Sequence, residues 1–129
     1  MPAVGGEHTM TLVEFLRARL AEDELTALAA VDGSPHWHSN YQYRDVKDEQ
    51  GHYVVQADSR HPSVGQAAHI ARHSPARVLA DVEAKRAVIA EYLRLDAAGD
   101  LLARGVVEDL LRAMCSVDSE HPDYNPSWS

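Results

Sequence analysis

The 129-residue sequence has one cysteine, one phenylalanine and, among twelve basic residues, two lysines. A lone Cys115 excludes an internal disulfide and any zinc site built from several cysteines. No apolar run approaches the roughly 18 residues of a membrane-spanning helix. The opening segment Met1–Gly6 lacks a basic stretch followed by an apolar one, so no secretion signal is read there. Missing too are a glycine-rich phosphate loop, a G-x-S-x-G elbow and an H-E-x-x-H pair. These absences point to the reducing cytoplasm and leave no recognisable catalytic set.

What is present is ordinary for a folded chain: 45% hydrophobic and 25% charged residues. The length suits one domain, expected over residues 10–129, behind a loose tail at 1–9 that carries proline and two glycines. Met10 stands just before a strong helix start and could serve as an alternative initiator. A formal charge of −8 repels phosphate backbones, so nucleic acid is not an expected partner, nor is a membrane. The negative excess gathers late. Residues 96–129 hold seven acidic and two basic side chains, which reads as a solvated face or as a surface for a basic protein partner.

Thr11-Leu12-Val13-Glu14 is a capping box, and the spacing predicts a helix from Leu12 to about Val31. Leu12, Val13, Leu16, Leu20, Ala27 and Val31 share one arc, interrupted by Asp23 and Glu24. Trp37, Tyr41 and Tyr43 alternate as in a strand. Lys47–Gly51 reads as a polar turn and His52–Ala57 as a second strand, giving a β-hairpin. A short helix is expected at Val64–His73. Ser74-Pro75 restarts the chain as a third helix, with Ser as N-cap and Pro in the first turn. That helix runs to about Leu95, where Asp96–Asp100 either breaks or bends it, and a fourth covers about Leu101–Val117 with a stripe of Val107, Leu110, Leu111 and Met114. The expected fold is therefore mainly α (α+β): about four helices in a small bundle with one two-stranded hairpin packed on it.

The candidate chemistry lies in histidines. His69 and His73 are four apart, so both imidazoles share a helical face and could share a divalent metal such as zinc. His36 and His38 would project from one side of a strand. His121, with Asp123, could add a ligand, as could His61. The ordinary alternative, which is favoured, is that these rings cap, pack at the Ser74-Pro75 bend or face water. His121-Pro122-Asp123-Tyr124 reads as a clamp holding the C-terminal segment through its tyrosine, or as an acid–base pair. Asp23 and Glu24 on an apolar stripe need partners, and Lys85 and Arg86 flank the stripe of the third helix, so a structural ion pair is expected. Cys115 reads as a small core residue. A small-molecule pocket between the aromatics Trp37, Tyr41 and Tyr43 and the helices is a further reading.

Three segments carry a resemblance: Leu12–Glu24, the run His69-Ile-Ala-Arg-His73-Ser-Pro-Ala-Arg-Val-Leu79 with Glu83-Ala-Lys-Arg86, and His121-Pro-Asp-Tyr124 with Trp128. In this order they resemble a family of small proteins of unknown function from Streptomyces, related actinobacteria and their phages. Ser74 stands where many members are expected to have Asp; both cap helices. The resemblance spans residues 10–128 and implies no activity. The reading at this level is a non-enzymatic cytoplasmic protein-interaction or regulatory module without a cofactor, against a His-cluster metal protein.

Overall fold

The computed structural model of the chain describes residues 9–129. Helix α1 (Leu12–Ala29) opens it, followed by strands β1 (Trp37–Ser39), β2 (Val46–Asp48) and β3 (Tyr53–Val55). Helices α2 (Val64–Arg72), α3 (Pro75–Ala98) and α4 (Leu101–Cys115) come next, with 3-10 turns at Ser116–Asp118 and Pro126–Trp128. The described chain forms two compact units. A helical unit takes residues 9–21 and 84–129, and a sheet unit takes residues 22–83. α1 and α3 each give part of their length to both.

The sheet has three antiparallel strands in the order β1-β2-β3, not the two of a hairpin. The expected first strand ends at Ser39. The Asn40 side chain accepts from the N–H groups of Gln42 and Tyr43 at 2.8 and 3.0 Å. This Asx turn withdraws the backbone from the ladder and leaves Tyr41 and Tyr43 exposed. Lys47 and Asp48 of the expected polar turn belong instead to the central strand, with Trp37 opposite Asp48 and Ser39 opposite Val46, while Glu49–Gly51 form the turn as expected. Val46 is buried, and the Lys47 ammonium sits 4.6 Å from the centroid of the Tyr53 ring.

Asp48 organises this unit. Only 1% exposed, its carboxylate accepts from the backbone N–H of Gly33 (3.2 Å), Ser34 (3.0 Å), Gln50 (2.9 Å) and His52 (3.0 Å). Burial raises its pKa, but donation from His52, Ser34 and Gln50, with the nearby His52 ring, outweighs that and holds it below the ordinary value. The approach is so close that a Cβ on Gly33 would collide with the His52 ring and the Asp48 and Gln50 side chains. Gly51 takes the positive φ of 86° that closes the β2–β3 turn. α2 begins on a second capping box, Ser63 with Gln66. α2 packs on β1 and β2, and the N–H of Ala76 in the first turn of α3 donates to the Pro35 carbonyl.

The helical unit is built from rings. Phe15 is fully buried, its ring edge-on to Tyr124 and His121 at 5.8 and 5.7 Å and tilted against Trp128 at 5.3 Å. The Arg19 guanidinium lies 5.2 Å from the same ring centroid. The C-terminal segment is thus clamped by Tyr124, as its sequence suggested. The α1 capping box forms as expected, with Thr11 N–H to Glu14 at 2.9 Å and Glu14 N–H to Thr11 at 3.1 Å. α3 runs three residues past Leu95 and stops at Gly99, whose φ is 74°. Asp100 then caps α4 by accepting from the Ala103 N–H. Across these two helices, Tyr92 donates to Glu108 at 3.2 Å, while Arg104 reaches Asp96 and Glu108. No helix among the described residues is long and apolar enough to cross a membrane.

Candidate functional site

α4 is apolar on two sides. Its inner side buries Leu111 and Cys115, with Val107 and Met114 half-buried. Leu110, expected on that inner stripe, points outward instead. At 100° per residue, Leu102, Val106, Leu110 and Ala113 of α4 fall within an arc of about 80°, and Val117 follows in the 3-10 turn. Leu102 is 88% exposed, Val106 66%, Leu110 53% and Val117 78%. Within α4 the stripe is roughly 16 Å long at 1.5 Å per residue. Its residues are spaced by four, four, three and four, on the side of the helix away from Leu111 and Cys115.

The rim of this stripe is acidic. Asp100 precedes α4, Asp109 lies beside Val106 and Leu110, and Asp118 and Glu120 follow. The two cations of the segment pair with carboxylates of α3 and α4: Arg104 with Asp96 and Glu108, and Arg112 with Glu108 at 3.3 Å. Asp109, Asp118 and Glu120 make no ion pair among the described residues. Below the stripe, burial and the neighbouring negative charge of Asp118 push the Cys115 thiol up to about 11, which keeps it un-ionised at neutral pH.

The histidines are dispersed. His69 and His73 come together at the C-terminal end of α2, where His73 is the cap residue, ring centroids 4.4 Å apart, with His73 Nδ1 2.9 Å from the His69 carbonyl. His36 and His38 are exposed on either side of the half-buried Trp37. His121 belongs to the other unit, and its Nδ1 accepts from the Asp123 N–H at 3.0 Å. Among the described residues, no three His, Cys, Asp or Glu side chains gather to hold a metal ion. Asp23 and Glu24 fall in the sheet unit and Lys85 and Arg86 in the helical unit.

The sheet unit carries several concavities, among them a recess of about 200 Å³ at His38, Asn40, Tyr43, Asp45 and Lys47. An open groove of about 610 Å³ lies along Val55, Pro62, Gly65 and Ile70, with His61 and His69 at its sides. A smaller cavity of about 350 Å³ is walled by Trp37, and Tyr41 and Tyr43 take no part in it.

A small, mainly helical protein with a three-stranded sheet and one helix apolar on its outer side is what the fold and the surface define. The chain belongs to a family of unknown function (DUF6221), matched over residues 9–129. No curated protein and no solved structure matches it.

Proposed function

We propose that the protein is a non-enzymatic interaction module of the cytoplasm, that it docks through the outer face of α4, and that its partner presents a basic amphipathic helix. The observation that carries this reading is the exposed stripe Leu102, Val106, Leu110, Ala113 and Val117. A contiguous apolar patch facing water is costly and marks an interaction surface. A helix apolar on opposite sides belongs between two layers, and α4 has one. Residues at i, i+4 and i+8 suit an apolar helix laid alongside. Carboxylates at both ends and beside Val106 favour lysines and arginines flanking that helix. A second copy of this acidic chain would bring like charges together.

The test uses two labelled 18-residue model peptides, one leucine/lysine and one leucine/glutamate, read by fluorescence anisotropy and by amide shifts. Saturable binding of the basic peptide, with shifts mapping to α4 and lost in Val106→Glu, is the expected result. Val106→Glu adds negative charge, so purely electrostatic attraction would survive it and count against the reading. Binding of both peptides alike, or a concentration-dependent dimer with α4 at its interface, would overturn it.

A second reading, a divalent-metal site at the end of α2, is favoured by the adjacent His69 and His73 rings. Two imidazoles are half of a tetrahedral set, so solvent or a partner would have to complete it. Zinc titration by calorimetry decides: a stoichiometric heat lost in His73→Ala supports the site, and no heat removes it.

A further inference from the structure

We infer that the 350 Å³ cavity beside Trp37 binds a small hydrophobic amine. Its volume lies within the roughly 300–1,000 Å³ of small-molecule sites. Its walls come from three elements of the sheet unit: Ala27 and Ala30 at the end of α1, Trp37 on β1, and Pro75 and Val78 at the start of α3. These surfaces suit an apolar body.

The polar groups at its edge are Asp23, Thr26 and His73, and no lysine or arginine lines it. The acidic side chain among them is that of Asp23. His73 directs Nδ1 at the His69 carbonyl, 2.9 Å away. That bond needs the proton on Nδ1, so the neutral ring has a bare acceptor at Nε2. Thr26 can accept as well. The cavity therefore calls for a donor and for positive charge, and a primary ammonium supplies both. Asp23 already has an interaction of its own, but a carboxylate offers about four lone-pair sites and can take a further donor. A tryptophan in the wall is compatible with a cation, while carboxylates and phosphates would meet Asp23 with like charge.

Trp37 and Trp128 are the only tryptophans, so their two indole N–H signals, assigned with Trp128→Phe, report the site directly. The probes are phenethylamine, its neutral analogue 2-phenylethanol and the anion 3-phenylpropionate. Phenethylamine should move the Trp37 indole signal in a saturable manner and leave that of Trp128 in place. The alcohol should bind at least ten-fold more weakly and the anion should give no shift. Asp23→Asn should weaken the amine about ten-fold while leaving the alcohol unchanged, because the exposed carboxylate contributes charge and not shape. Ala30→Leu, also at an exposed position, should fill the cavity and abolish both responses. Equal binding of amine and alcohol, indifference to Asp23→Asn, preference for the anion, or amine binding unaltered by Ala30→Leu would each overturn the assignment. None of these readouts involves α4, so the docking proposal stands or falls separately.

Discussion

The two units of this protein solve folding by different means. The sheet unit has strands of three residues and takes its order from polar accounting, with four backbone N–H groups converging on one buried carboxylate. The helical unit takes its order from ring packing around the only phenylalanine in the chain. Apolar contact can yield a little when one atom is lost. A buried acceptor cannot be removed without stranding its donors. The first unit should therefore be brittle to chemistry and the second to volume.

The largest effect is expected from Phe15→Ala. Losing a fully buried ring should cost about 3–5 kcal/mol, read by urea denaturation, and a much smaller loss would contradict the account of the helical unit. Asp48→Ala comes next, lowering Tm by on the order of 10 °C in a calorimetric scan. Amide exchange should accelerate first at Gly33, Ser34, Gln50 and His52.

Acid sharpens the same contrast. Asp48 and Asp58 both have folded pKa values below the ordinary 3.8, Asp58 through donation from the Arg60 and His61 N–H groups. A depressed folded value means that their stabilisation is present above about 3.8 and is lost as pH falls through the folded value. Urea midpoints measured from pH 5 downward should fall in the wild type, and the decline should be shallower in Asp48→Asn. The two capping boxes allow a matched pair: Thr11→Ala and Ser63→Ala should each cost roughly 1 kcal/mol, with exchange loosened at the start of α1 in one and of α2 in the other. The smallest effect concerns Cys115, whose thiol titrates at about 11. Iodoacetamide at pH 8 should label it slowly in the native protein and rapidly in guanidinium, and labelling at the free-thiol rate would contradict its burial.

The helices were legible because their signals are local. Thr11 with Glu14 and Ser74 before Pro75 each mark a boundary through chemistry within three residues, whereas the end of α3 at Gly99 lies beyond the expected Leu95. The Ser63–Gln66 box is equally local and marks the start of α2. The central strand was hidden because Lys47 and Asp48 look like turn residues. Asp48 becomes a core residue only through donors from as far away as Gly33, a relation that periodicity does not carry. Phe15 was likewise left off the predicted apolar arc, since its partners Tyr124 and Trp128 lie more than a hundred residues on. Of the candidate site residues, the His69–His73 adjacency followed from helical spacing. The outer stripe of α4 did not emerge, because spacing alone does not say which of two apolar faces stays wet.

Arg44 has a consequence beyond its own turn. At a φ of 62°, it donates to the carbonyls of Asp58 and Pro62 at 2.6 and 2.8 Å. Both of those residues line the larger groove, and Arg44 does not. The width of that groove is thus governed from outside it, and exchanging this one guanidinium would reshape the recess while every residue facing its interior stayed the same.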